Sequence, residues 1–478
     1  MTLVAGVDSS TQSCKVLIVN SETGEVLRQG KAAHPAGTEV DPSHWWTALQ
    51  EAIAAAGGLA DVAAVSVGGQ QHGMVILDSA GRVIRPALLW NDTRSAAQAE
   101  ELIGRFGTDW LIEHTGSVPV ASFTSTKLAW VTANEPQHAE KIAAVMLPHD
   151  YLSWRLAGYG PVADPSSNEA GAPLGPDFAA AFTDRSDASG TGYFNPQTNA
   201  YLPEVLSAIL PRAVAASVAL PRVLGPLETG ASVYGTQTRI GAGMGDNAGA
   251  AQGLGLEAGD LVVSLGTSGT VFASTAGPSH DSSGAIAGFA DATGRYLPLI
   301  CTLNAARVLD KFADLLQVNH AELGELALAA EPGAGGLVFV PYLEGERTPN
   351  LPDATASLHG MTLANATRNN LARAAIEGML CGLAVGQQLL LESGHEVSRL
   401  ILIGGAAANP AVQQIAAQVF GVPVTVPPSN EYVALGAANQ AAAVLSGSPV
   451  SWRLPGAVTV SAPAAPQVLE QYARYANC

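Results

Sequence analysis

A two-lobed α/β chain is predicted by two features of the sequence. It opens as three strands, a helix and a fourth strand, and the strand–turn–strand pair near residues 3–19 recurs near residues 261–274. Composition agrees: 47% apolar and only 13% charged over 478 residues supports large buried cores and two or three domains.

The opening elements follow from local pattern. Leu3–Val7 is an apolar run ending at Asp8, and Ser9-Ser10-Thr11-Gln12-Ser13 is a polar turn. Cys14–Val19 is the second apolar run, Ser21 to Gly24 a turn, and Glu25–Ala32 the third strand. Asp41 followed by Pro42 starts a helix expected to reach Ala56, because Asp accepts the first free amides and Pro lacks one. Val62–Val67 is the next strand. This β-β-β-α-β order excludes a dinucleotide-binding opening, which would begin β-α-β.

In the middle of the chain, Leu261–Ser264 and Thr270–Ser274 flank the small-residue turn Leu265-Gly266-Thr267-Ser268-Gly269. Before them lies Gly241-x-Gly-x-Gly245-Asp246-Asn247, and the lobe boundary is placed just after it, giving 1–248 and 249–478. The glycine-rich stretch 241–255 is read as a hinge between the lobes. Farther on, Leu400–Ile403 is a strand, Gly404-Gly405 a turn, and Asn409-Pro410 opens a helix through Val419.

Charge and cysteine usage exclude several classes. There are 41 acidic and 23 basic residues, for a net charge of −18, which disfavours nucleic acid as a partner. A phosphate ligand must therefore be held locally, by backbone amides, a metal or a few placed side chains. The start has no positively charged leader, and no stretch has the ~20 uninterrupted apolar residues of a spanning helix; Ala374–Leu391 is interrupted by Glu377, Gln387 and Gln388. No membrane association is expected. Cys14, Cys301, Cys381 and Cys478 show no paired spacing, as expected of inert thiols in a reducing cytoplasm.

The motifs that carry chemistry are polar groups at strand ends. Asp8, with the hydroxyls of its turn, is a candidate station for phosphate and Mg²⁺ or its water; the plainer reading is an Asp capping a tight turn. Gly266-Thr267 offers the same donors without a carboxylate. Gly404-Gly405 lets a flat ligand approach the backbone. Asp246, presented by a glycine turn, is the candidate general base for a hydroxyl attacking phosphorus. Gln70-Gln71-His72-Gly73, Trp90-Asn91-Asp92-x-Arg94 and Thr183–Thr191 are dense in sugar-binding groups. Taken singly, each also reads as structure: His72 as a satisfied core histidine, Arg94 as an ion-pair partner of Asp92 or Glu101.

Together these pieces resemble the FGGY family of carbohydrate kinases, and within it the branch acting on D-xylulose, over nearly the whole chain. Ser122-x-Thr124-x-x-Lys127-Leu128-x-Trp130-Val131 is similar to the first family signature, with Ala133 where a polar residue is usual. Ala356-x-Leu358-x-Gly360-Met361, eight residues, then Asn370-Leu371-x-x-Ala374-Ala375-Ile376-Glu377 is similar to the second. Asp184–Thr191 and Pro341-Tyr-Leu-x-Gly345-Glu346-Arg347-Thr348-Pro349 resemble the xylulose-type forms. Gln71 stands where many bacterial members have Met, and the Arg-Glu pair of glycerol kinases is absent there.

The resemblance implies two ribonuclease-H-like lobes, as in actin and hexokinase, around an ATP cleft. It implies Asp246 as base with Asn247 beside it on the sugar, and Gln71 and His72 on the ketose. It assigns Asp8 to Mg²⁺ and phosphate, with Thr11 in the same phosphate hairpin, Gly266 and Thr267 to the nucleotide phosphates, and Gly405 and Asn409 to the adenosine. ATP, Mg²⁺ and D-xylulose are the small-molecule partners it implies; a homodimer is common among relatives, and no interface is legible. A kinase for ribulose, gluconate or another polyol, or an actin-like ATPase without kinase activity, are the alternatives.

Overall fold

The computed structural model describes residues 1–163, 171–279, 281–452 and 456–476. The chain forms two compact units. The first holds Met1–Leu256, the excursion Gly288–Tyr296 and the segment from Glu431 that carries the helix Tyr432–Ser446; the second holds Glu257–Ala287, Leu297–Asn430 and the C-terminal segment.

The sheet of the first unit runs, in spatial order, Thr229–Ser232, Arg239–Gly241, Val62–Gly69, Leu3–Ser9, Ser13–Asn20 and Val26–Ala33, with Met244–Gly245 continuing along Val62–Gly69. The three strands at the chain start form an antiparallel meander, whereas Val62–Gly69 lies parallel to Leu3–Ser9. The expected helix is Pro42–Ala55, and the Asp41 carboxylate accepts from the Ser43 amide at 2.8 Å. Val7, Val16, Ile18, Trp45, Leu49, Val65 and Val67 share one core. Full burial of each such side chain contributes about 1.5–3 kcal/mol.

On the sheet's other face, the helix Tyr432–Ser446 lies close enough that a Cβ on Gly6 would meet the Ala434 carbonyl oxygen at 1.9 Å. The glycine-rich stretch read as a hinge is a packed element of this unit. After Met244–Gly245 it forms the helix Asp246–Leu254, which crosses Tyr432–Ser446 so tightly that a Cβ on Gly436 would meet the Gly249 carbonyl oxygen at 2.0 Å.

The second unit repeats the plan. Tyr296–Thr302, Gly269–Ala273, Asp260–Leu265, Arg399–Ile403, Val424–Val426 and Val458–Val460 are sheet neighbours in that order. Asp260–Leu265 pairs antiparallel with Gly269–Ala273 and parallel with Arg399–Ile403, the relation that Leu3–Ser9 has to its own neighbours. The helix Arg368–Glu392 is long and apolar enough to cross a membrane, yet it is the central helix of this unit, mostly buried. Its Arg373 pairs with Glu377 at 2.6 Å and donates to Gln418, so the buried charges are matched. Cys14, Cys301 and Cys381 form no disulfide, and Cys478 lies outside the described residues.

Candidate active site

Strand register gathers the candidate residues of the first unit. Asp8 stands opposite Gly68, and Gly68 and Gly69 stand opposite Met244 and Gly245. The carboxyl ends of three adjacent parallel strands therefore release Asp8, the 70–73 turn and Asp246 at one edge, where ligands of open α/β sheets bind.

Asp8 is buried, and its Oδ1 has no hydrogen-bond partner among the described residues. Its Oδ2 accepts from Lys15 Nζ at 3.3 Å, and Lys15 also reaches Glu431 at 2.6 Å. Burial pushes the Asp8 carboxyl up to about 6, with Lys15 opposing the rise. Thr11 in the adjoining turn is fixed by Trp90, whose indole N–H donates to its hydroxyl at 2.9 Å.

Asp246 is the first residue of its helix, after Gly245 as N-cap. Its Oδ1 accepts from the Asn247 amide at 2.8 Å and from Asn247 Nδ2 at 3.0 Å. The same Nδ2 donates to Gln71 Oε1 at 3.2 Å, so one amide group links Asp246 to Gln71. Asp246 is half-buried. Burial, and then the negative charge of Asp8, push its carboxyl up to about 7. A carboxylate with that affinity can accept a proton near neutral pH.

Gln71 and His72 are both buried. Gln71 Nε2 donates to the Ser186 carbonyl at 3.3 Å, and Ser186 Oγ accepts from the Gly245 amide at 3.1 Å. His72 Nδ1 is 2.6 Å from the Gly190 carbonyl oxygen, which fixes the proton on Nδ1. The ring lies 4.8 Å from Phe123 and 5.7 Å from Phe289. Its backbone has φ +68°, a left-handed conformation uncommon outside glycine.

Two sugar-like clusters are largely consumed by structure. Arg94 holds Asp92 through two bonds of 2.8 and 2.9 Å and reaches Glu39, not Glu101, at 2.8 Å. Asp184 caps the short helix that follows it, accepting from the Ser186 and Asp187 amides, and Asp187 binds His149 at 2.6 Å. His149 is fully buried, with Asp150 3.1 Å from its other nitrogen. Burial alone would lower its pKa, but Asp150, Asp187 and Asp184 outweigh that and push it up to about 10. His149 also backs the turn before Asp246, because a Cβ on Gly243 (φ +85°) would meet its ring at 2.3 Å. Sequence alone picks out half of this cluster: Asp184 and Asp187 lie in the polar stretch Thr183–Thr191, whereas His149 and Asp150, well before it in the chain, read as core polar residues.

In the second unit, Gly266 and Thr267 are exposed at the turn between Asp260–Leu265 and Gly269–Ala273. Their carbonyls accept from Ala306 and Ala305 at 2.8 and 3.2 Å. Gly404 leaves its strand at φ +95°, and a Cβ there would meet the Leu265 carbonyl oxygen at 2.4 Å. Gly405, by contrast, faces open space. Asn409 Oδ1 accepts from the Ala411 amide at 2.9 Å as N-cap of Pro410–Phe420, and its Nδ2 donates to the His320 carbonyl at 2.8 Å. That polar side chain is engaged within the protein.

Comparison with known proteins gives the family and the fold. The model of the N-terminal domain of the FGGY family of carbohydrate kinases matches residues 3–253, and that of the C-terminal domain matches residues 261–445. The chain belongs to the FGGY family of carbohydrate kinases. It is 45% identical to a xylulose kinase of Streptomyces coelicolor over 93% of this chain and 88% of that one. To a xylulose kinase of Escherichia coli it is 34% identical, over 87% and 84% respectively. Among solved structures, the xylulose kinase of Bifidobacterium adolescentis superposes with a TM-score of 0.92 at 48% identity, covering 99% of each chain. The two-unit actin- and hexokinase-like fold expected from sequence is thus the fold of the family.

Proposed function

We propose that this carbohydrate kinase transfers the γ-phosphoryl group of ATP to the 5-hydroxyl of D-xylulose, giving D-xylulose 5-phosphate. The sugar is inferred from the xylulose kinases that the chain resembles over nearly its full length. The observation that carries the reaction type is the Asn247 amide shared by Asp246 and Gln71, which couples a near-neutral carboxyl to a polar sugar station.

In this reading Gln71, His72 and Asn247 hold the ketose, and Asp246 takes the proton of the hydroxyl as it attacks phosphorus. Gly266 and Thr267, with Thr11 on the other hairpin, receive the nucleotide phosphates, and Gly405 and Asn409 border the adenosine. Asn409 would act there through its backbone, given the engagement of its side chain.

Magnesium fits the residues present in one respect. The orphaned Oδ1 of Asp8 is a hard oxygen donor beside Asp246. No group of three or more His, Cys, Asp or Glu side chains suited to a metal occurs among the described residues. Asp8 would therefore hold a phosphate-borne Mg²⁺ or one of its waters. When bound, such an ion neutralises charge on the phosphates. The protein's own part is to position the hydroxyl and accept its proton.

A coupled ADP assay over D-xylulose, D-ribulose, gluconate and glycerol at fixed ATP tests the reading. D-Xylulose should give the highest kcat/KM. Faster turnover of another substrate overturns the sugar assignment, and sugar-independent ADP release overturns the kinase reading.

A further inference from the structure

The family signature that contains Lys127 has no role in the chemistry above, yet it places an ammonium group in the core. Lys127 is 0% exposed. Its Nζ donates to the backbone carbonyl oxygen of His72 at 2.9 Å, and the carboxylate of Asp92 acts on it through charge. Thr124 Oγ1 donates to the same oxygen at 3.2 Å. Both residues belong to the helix Thr124–Asn134. Three positions apart is close to one helical turn, so both project from one face and fill both lone pairs of a single carbonyl. The Thr-x-x-Lys spacing of the signature thereby acquires a physical reason.

That carbonyl belongs to a residue that needs holding. His72 is a non-glycine residue at φ +68°, and such a conformation persists only where its surroundings over-determine it. Bonds to its carbonyl fix the His72–Gly73 peptide plane, and with it the ψ angle of His72. The ring is then set by the Gly190 carbonyl and by Phe123. An apolar side chain would fill the space around Lys127 without desolvating a charge, and burial does lower the affinity of this ammonium for its proton, to about 7. What the buried donor adds beyond packing is its bond to the His72 carbonyl.

We infer that Lys127, assisted by Thr124, is a positioning residue for the sugar: it holds the His72 backbone in its left-handed conformation and so sets the imidazole toward the ketose. The inference rests on the proposed contact between His72 and the sugar.

The test is a double-mutant cycle of Lys127→Met and His72→Ala, with Thr124→Val as a milder probe of the same carbonyl. KM for D-xylulose, KM for ATP, kcat and melting temperature are measured for each. Lys127→Met should raise the sugar KM about tenfold, equal to ~1.4 kcal/mol, with the ATP KM within about twofold. Thr124→Val should raise it less, in the same direction. In the His72→Ala background, Lys127→Met should add less than about twofold, because the ring it orients is gone. Multiplying effects, or an ATP KM that moves as much as the sugar KM, overturn the inference and leave the His72 contact standing. An unchanged sugar KM in His72→Ala overturns the contact itself, and the inference with it. If Lys127→Met fails to fold, Thr124→Val and its double variant with His72→Ala decide by the same criteria.

Discussion

Replacing Asp246 by asparagine separates two consequences of its environment. The carboxyl is pushed from 3.8 to about 7 by burial and by Asp8. At 1.36 kcal/mol for each tenfold gain in proton affinity, a rise of that size puts a ceiling of ~4 kcal/mol on the destabilisation carried by the ionised form. Partial exposure reduces this to ~1–3 kcal/mol. The sign follows from proton binding. Between about pH 4 and pH 7 the native carboxyl keeps a proton that the unfolded chain has released, so the parent loses stability as pH rises through that window and is level above it. Asparagine does not titrate, and its oxygen can still accept from the Asn247 amide. Asp246→Asn should therefore gain on the parent between pH 5 and pH 8, by ~1–2 kcal/mol in urea melts. At pH 8, where the parent carboxyl is ionised, its kcat should lie ~10²–10⁴-fold below the parent's. A constant stability difference across pH would refute the buried-carboxyl account. Parent-like turnover would remove Asp246 as the base.

Three further perturbations probe the surroundings. Asp8→Asn removes the neighbouring negative charge, so the acid limb of the kcat/KM–pH profile should move to lower pH even as activity falls; an unmoved limb would show that the two carboxyls do not interact. His149→Gln strips the cation from Asp150, Asp184 and Asp187, and should destabilise by ~3–5 kcal/mol in urea melts; a loss below ~1 kcal/mol would show those carboxylates to be adequately satisfied without it. Gly436→Ala should lower the melting temperature. Helix propensity alone would favour alanine by ~1 kcal/mol, so a rise would contradict the close crossing at Gly249.

How much of the structure is legible in the sequence depends on how local each signal is. The opening meander, the Asp41 and Asn409 caps and the repeated strand–turn–strand pairs depend on neighbours within a few residues, and all appear in the structure. The glycine run 241–255, read as a hinge, holds strand ends at Gly241 and Met244–Gly245 and the packed helix Asp246–Leu254, because glycine content signals backbone freedom and close packing alike. Gly249 and Gly253, four apart, fit the second, and they meet the helix Tyr432–Ser446. Nothing near residue 432 shows that this helix belongs to the first unit, since its partner surfaces lie some 180 or more positions earlier. Lys15 is absent from the sequence-based candidates although its signal is present: a hairpin closing at Ser9 and Cys14 places position 15 opposite Asp8.

The candidate base owes its character to opposed influences that one piece of architecture delivers together. Parallel strands with adjacent carboxyl ends bring Asp8 and Asp246 to the same edge, where burial and mutual repulsion favour the protonated form. The first position of the helix Asp246–Leu254 works the other way, because its amides and dipole favour negative charge, and Asn247 donates to the carboxyl twice. Burial without the helix start would leave an acid holding its proton at pH 7. A helix start without burial would leave an ordinary carboxylate, too weak a base to assist an attacking hydroxyl. With both, the group rests near neutrality, where readiness to accept a proton and the fraction able to do so are jointly greatest.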